Sequence, residues 1–195
     1  MTSISPLAEV LSKGLYGDCD GKNEENLIKI KEIKNLLIVQ IVQYKNSSSQ
    51  IKDLNLDGLS LPTKSLKVNC NEDSRILWCG PKNWLLISTK KDLLNNISEI
   101  FNEKDFAVTD LSHSRAIIEI EGQDVEEVLK KGCPFNFNIL EKNNSINSTY
   151  NGIAFTVDML NDNPDKARLF VLRSFGESLY HSITDASLEY GYKGN

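Results

Sequence analysis

Residues 74–101 read "SRILWCGPKNWLLISTKKDLLNNISEIF". Two apolar runs flank Gly80-Pro81-Lys82-Asn83, a turn composition in which proline fixes φ and glycine tolerates geometry that other residues avoid. The first half of the segment therefore reads as a β-hairpin. Behind it the apolar period lengthens, and Leu93, Leu94, Ile97, Ile100 and Phe101 fall on one face of a helix. The same order returns at residues 153–183, where "IAFTVDML" and "ARLFVLRS" flank "NDNPDK" and a helical stretch follows. The residues of the two segments barely match. The recurrence fits an internal β-β-α duplication, and equally a common supersecondary unit used twice.

Upstream, "NLIKIKEIKNLLIVQIVQY" (26–44) alternates as two strands broken near Lys34–Asn35. "FAVTDL" (106–111) and "RAIIEIEG" (115–122) read as further strands. "GQDVEEVLKKG" is a helix between two glycines, with Val125, Val128 and Leu129 facing inward. "SPLAEVLSKG" reads as a short helix with Ser5 as N-cap, Pro6 at the first helical position and Gly14 as its stop. Residues 46–62 and "CPFNFNILEKNNSINSTYNG" (133–152) read as loops. A last helix, "FGESLYHSITDASLEYG", is stopped by Gly191. This mixture predicts an α+β fold with mainly antiparallel sheets. A chain of 195 residues suits one domain, 1–195, with an N-terminal segment (1–26), a first half (27–104) and a second half (105–195).

Hydrophobic content of 40 % and charged content of 25 % are those of an ordinary globular protein. The net charge of −5 argues against nucleic acid, which demands a basic surface. Cys19, Cys70, Cys79 and Cys133 form no C-x-x-C pair, and with two histidines, His113 and His181, no zinc-ligand spacing exists. Scattered cysteines, no signal-like apolar run and no spanning segment predict a cytoplasmic protein with no membrane partner.

"TDLSHSRAIIEIEG" (109–122) sets Asp110, Ser112 and His113 within four positions, the side chains of a hydrolase triad. Triad chemistry needs the serine oxygen against the imidazole and the imidazole against the carboxylate. In extended chain, Ser112 and His113 point to opposite faces. Nor is there a G-x-S-x-G elbow. Asp110 and Ser112 are expected to bond to local backbone and fix how the strand begins.

The same stretch resembles the "D-V-S-H, strand, G-x-D-A, helix" pattern of the glycine-cleavage T protein (aminomethyltransferase) family, with Asp110, Ser112, His113, Gly122, Asp124 and Leu129 matching. A longer resemblance covers most of the chain. "SPLAEV" near the start, "WCGPKNWLLIS", "VTDLSHSRAIIEIEG", "VLKKGCPFNF" and "VLRSFGESLYHSITDASLEYG" occur in order and resemble the gamma-subunit family of heterotetrameric sarcosine oxidase. Its recurrent pieces are G-P-x-x-W-L-L (Gly80 to Leu86), D-x-S-x-x-R (Asp110, Ser112, Arg115), L-x-K-G-C-P (Leu129 to Pro134) and R-S-F-x-x-S-L (Arg173 to Leu179).

That resemblance implies a folate-domain-like fold and a non-catalytic assembly subunit. The complex it implies demethylates sarcosine oxidatively to glycine, releasing hydrogen peroxide and either formaldehyde or 5,10-methylenetetrahydrofolate. FAD, FMN, NAD and tetrahydrofolate are then expected on partner alpha, beta and delta subunits, with no catalytic, cofactor or metal residue on this chain. Consistent with this, no G-x-G-x-x-G follows a strand. "YNGIAFTVDML" (150–160) offers Asn151-Gly152 without the acidic pair of the aminomethyltransferases. The partner interface is expected at Trp78, Trp84, Arg115, Phe135, Phe137 and Arg173, since aromatic residues and arginine anchor interfaces. The isolated chain is expected to self-associate through such a surface. The alternative reading is a free-standing folate-binding aminomethyltransferase-like or tRNA-modification protein.

Overall fold

The computed structural model describes residues 4–195. In chain order its strands are β1 (Gly14–Tyr16), β2 (Ile28–Glu32), β3 (Leu37–Gln43), β4 (Asn55–Leu56), β5 (Leu59–Ser60), β6 (Val68–Cys70) and β7 (Ser74–Gly80). There follow β8 (Asn83–Ser88), β9 (Phe106–Asp110), β10 (Arg115–Gly122), β11 (Ser145–Tyr150), β12 (Ile153–Asp162), β13 (Asp165–Leu172) and β14 (Tyr192–Gly194). The helices are α1 (Leu93–Ile100), α2 (Val125–Lys130) and α3 (Gly176–Ser187). The fold is α+β with mostly antiparallel sheets, as the alternating runs predicted. Among the described residues no helix is long and apolar enough to cross a membrane.

Contacts divide the chain into two compact units, neither continuous in sequence. One holds the residues up to Lys34 with Ser114–Lys142 and Ile146–Asn195; the other holds Asn35–His113 and Asn143–Ser145. The halves drawn at 104/105 in the sequence do not coincide with them. The crossing after Lys34 falls where the strand pattern breaks, at Asn35, whose φ of 62° is left-handed and open chiefly to asparagine, aspartate and glycine.

The first unit is built on a seven-stranded sheet in the order β1-β14-β2-β10-β13-β12-β11. Its pairings are antiparallel along β2-β10-β13-β12, and β14 runs parallel to β2. Ala116, Ile118 and Ile120 of β10 stand opposite Val171, Leu169 and Ala167 of β13 on one buried face. Helices α2 and α3 pack against these strands, burying Val125, Val128, Leu129, Leu179, Tyr180 and Ile183. Each such side chain contributes roughly 1.5–3 kcal/mol by leaving water.

The second unit is a five-stranded sheet, β6-β7-β8-β3-β9, with the β4-β5 hairpin beside it. Leu37, Val39 and Ile41 of β3, Ile76 of β7, and Trp84 and Leu86 of β8 form one apolar cluster with Ile97, Phe101 and Phe106. The helical face read at 93–101 thus meets the face of the hairpin read at 74–89. Strand β8 is an unbroken apolar run because Leu85 and Ile87, on its other face, are buried too.

Four local readings need correction. Residues 6–10 form hydrogen-bonded turns and 11–13 irregular chain, not a helix: Ser5 Oγ accepts from Leu7 N–H but also donates to the Glu32 carboxylate. Asn83 already pairs with Gly80, so the hairpin loop is only Pro81-Lys82. The stretch 46–62 contains β4 and β5, and 133–152 contains β11. Strands β1 and β14, three residues each, had no reading at all.

Candidate functional site

The Asp110-Ser112-His113 cluster lies where β9 ends against β3. Ser112 Oγ donates to Asp110 Oδ1 at 2.5 Å and accepts from the Ile38 N–H at 3.0 Å. Ser112 N–H also donates to Asp110 Oδ1, and Leu111 N–H donates to Ile38 O. The serine hydrogen bonds hold Asp110 below the usual carboxylate range despite partial burial. His113 is exposed. The serine proton is committed to a carboxylate and its lone pair to a backbone N–H, so no imidazole can activate it.

The glycine-cysteine segment after α2 is also a packing device. A Cβ on Gly132 would lie 2.5 Å from the Tyr150 ring. Tyr150 O–H donates to Val128 O at 2.9 Å, Asn151 N–H donates to Gly132 O, and Cys133 Sγ, buried, lies 3.3 Å from Ser148 Oγ. Burial pushes the Tyr150 phenol up to about 12, helped by Asp185 and Cys133. Asn151 and Gly152, both at positive φ, form the β11-β12 turn, and that turn supplies none of the acidic pair that the aminomethyltransferase resemblance would place after it. Among the described residues no group of three or more His, Cys, Asp or Glu side chains could hold a metal ion.

Charge is concentrated on the other face of β10 and β13. Burial would raise Glu119, but hydrogen bonds from Arg168 (2.8 Å) and Lys31 (3.1 Å), with Lys166 at 3.2 Å, hold it below its ordinary value. At the turn end of the β12-β13 hairpin the balance is reversed. Burial, Glu126 and Asp162 raise Asp165 to about 6.

Of the six residues expected at an interface, two are inside. Trp84 is 1 % exposed and its indole N–H donates to Pro62 O at 2.7 Å. Phe137 is 3 % exposed. An aromatic anchor needs free apolar surface, but the apolar area of both and, for Trp84, its polar atom already have partners within the chain. Trp78 and Phe135 are half-buried, with Phe135 edge-on to Phe137 at 5.7 Å.

Arg115 and Arg173 come together at one end of the β10-β13 ladder. Arg115 pairs with Leu172 in register, and Arg173 N–H donates to Ser114 O. The Arg115 guanidinium lies 3.1 Å from Ser114 Oγ, and that of Arg173 donates to Ile4 O. Beside them Leu172 and Phe175 are about half exposed, at 46 % and 48 %. An open cleft of about 720 Å³ next to them is lined by Ile4, Pro6, Glu9, Leu172, Arg173 and Glu177, among others. Local pattern hides both: Leu172 closes a strand whose preceding residues are buried, and Phe175 ends the short turn that leads into α3.

The model of the sarcosine oxidase, gamma subunit family matches residues 50–189. The chain belongs to the sarcosine oxidase gamma subunit family. Sarcosine oxidase subunit gamma of Corynebacterium sp. (strain U-96) is 28 % identical over 118 residues, 59 % of this chain and 57 % of that protein. The alignment thus spans a little more than half the length of this curated relative. Among solved structures, a chain of heterotetrameric sarcosine oxidase from Corynebacterium sp. U-96, in complex with pyrrole 2-carboxylate, superposes with a TM-score of 0.83. It is 21 % identical, with 97 % of each chain covered. Glycine cleavage system aminomethyltransferase T from Bartonella henselae superposes with a TM-score of 0.63 at 13 % identity, over 97 % of this chain and 58 % of that one. The gamma subunit family and the aminomethyltransferase thus share this fold. The pieces that carry the resemblance have clear packing roles here: Trp84 and Leu179 are buried, Ser112 fixes the end of β9 against β3, and Gly132 lies against the Tyr150 ring.

Proposed function

We propose that this chain is the non-catalytic gamma subunit of a heterotetrameric sarcosine oxidase, acting as one gamma-like domain over 1–195. The complex would demethylate sarcosine oxidatively to glycine, with hydrogen peroxide and either formaldehyde or 5,10-methylenetetrahydrofolate as the other products. FAD, FMN, NAD and tetrahydrofolate would belong to alpha, beta and delta partners, in the cytoplasm. The observation that carries the reading is the family match across residues 50–189. The geometry supports a structural role. Ser112 and Asp110 are occupied with each other and with the Ile38 N–H, and Cys133 is buried beside Ser148. Trp78, Phe135, Arg115 and Arg173 remain as interface residues, joined by Leu172 and Phe175, whose exposure suits a permanent contact.

The test is co-expression of the tagged chain with the larger subunits, followed by capture, flavin absorbance and peroxide release from sarcosine. Yellow, active complex is expected with the partners, and colourless, inactive protein from the chain alone. Tight folate binding by the chain alone, without partners, would instead support the free-standing transferase.

A further inference from the structure

The second unit carries a cleft of about 400 Å³ lined by Lys52, Ser60, Leu61, Pro62, Thr63, Lys64, Lys67 and Asn69. That volume lies in the range of small-molecule pockets, roughly 300–1,000 Å³. Its floor is fixed. Leu61 is buried, and Pro62 O is held by the Trp84 indole N–H at 2.7 Å. Asn69 Nδ2 donates to Ser60 O and Oγ, tying β5 to β6. Its rim is cationic. Lys52 comes from the short turn Ile51–Asp53. Lys64 and Lys67 flank a reverse turn closed by Lys67 N–H donating to Lys64 O.

That turn needs a left-handed residue, and here it is Leu66, with φ of 67°, where glycine or asparagine is usual. The backbone thus adopts an unfavoured conformation in a turn that has a cleft-lining lysine at each end. No aspartate or glutamate lines the cleft. Asp53, next to Lys52 in sequence, is outside the lining, and none of the three ammonium groups forms an ion pair among the described residues. On a chain of net charge −5, an acid-free cleft with three cations is a local reversal of sign.

We propose that this cleft binds a small, multiply charged anion, phosphate-bearing or polycarboxylate, through Lys52, Lys64 and Lys67, with the Ser60 and Thr63 hydroxyls as further polar contacts. Lysine suits the task because its ammonium is a point charge on a flexible stem that can follow an anion's shape. A second copy of this face is disfavoured, because it would oppose three cations to three.

The test is calorimetric titration of the purified chain with tripolyphosphate, citrate and a hexaglutamate peptide, at low and physiological salt. Two triple variants accompany it: K52Q/K64Q/K67Q, and K13Q/K45Q/K104Q, whose lysines lie outside the cleft and also form no ion pair among the described residues. Saturable binding of one small anion is expected, weakening with salt. It should fall roughly tenfold or more in the cleft variant, as three exposed ion pairs allow, and stay unchanged in the control. Preference for tripolyphosphate or for citrate names the source. Thermal melts check that each variant folds, and K64Q and K67Q singly replace the triple if it does not. Absence of saturable binding by either small anion, equal loss in both triple variants, or tighter binding of the peptide than of both small anions would each overturn the proposal.

Discussion

Ser112 is the residue on which a catalytic and a structural account of this chain diverge most. Its Oγ satisfies the Ile38 N–H and anchors Asp110. Ser112→Ala leaves a backbone donor without its partner, at a cost of about 1–3 kcal/mol. A lower Tm with undiminished peroxide production by the assembled complex is expected; a rate loss of about a thousandfold with folding intact would restore a catalytic role. Asp110 adds a pH dependence. Its folded value is depressed, so its stabilisation is present above the unfolded value and lost as pH falls through the folded one. The stability gap between the parent chain and Ser112→Ala should therefore narrow as pH falls through the folded Asp110 value, which denaturant melts across acid pH measure. Asp165 has the opposite sign. Raised to about 6 by burial, Glu126 and Asp162, it favours the folded state when protonated, and that contribution disappears as pH rises through about 4 to 6. Asp165→Asn should stabilise the chain at pH 8 by about 1 kcal/mol, discounted for solvent screening, and by nothing below pH 4. Denaturant melts at the two pH values measure the difference.

Elements were legible in the sequence where side chains alternate against a core and glycine or proline punctuates them. The hairpin at 74–88, the strand break at Asn35 and the inward face of α1 all follow from residues that also decide packing. What escaped has a common cause. Strand β11, "SINSTY", sits at the sheet edge, so its sequence stays polar and reads as loop. Strand β14 exists through long-range pairing with β2, and β1 through pairing with β14, and three residues carry no periodicity. The stretch 5–13 carries good helix punctuation, but Ser5 is engaged with Glu32, far along the chain, which no local rule reports. Among the candidate residues, side-chain type was legible and burial was not: Trp84 and Trp78 are cross-strand partners, yet only one is fully inside. At this scale Gly132→Ala is the informative change. The added methyl would collide with the Tyr150 ring, and overpacking of this kind costs about 1–3 kcal/mol. A melt unchanged within a degree would mean that the turn after α2 yields freely.

For the whole molecule, assembly is the property to measure. Arg173 lies with Arg115, Leu172 and Phe175 at one end of the β10-β13 ladder. Arg173→Ala removes one contact to the Ile4 carbonyl and leaves every buried group in place. Capture of the larger subunits should weaken while the isolated chain melts almost unchanged. If capture is untouched and the melt collapses, Arg173 belongs to the fold.

The discontinuity of the two units has a further consequence, for the ribosome. Everything from Asn35 to Ser145 that the second unit requires has been synthesised before β12, β13, α3 and β14 of the first unit emerge. Strand β2, made before any of it, can pair with β10 once residue 122 is made but with β14 only after residues 192–194. During that interval one edge of β2 is an unpaired row of backbone donors and acceptors, the kind of edge to which foreign strands add. Lys29 and Lys31 alternate along it, and charged side chains of this kind oppose such addition while the chain waits for its own last strand.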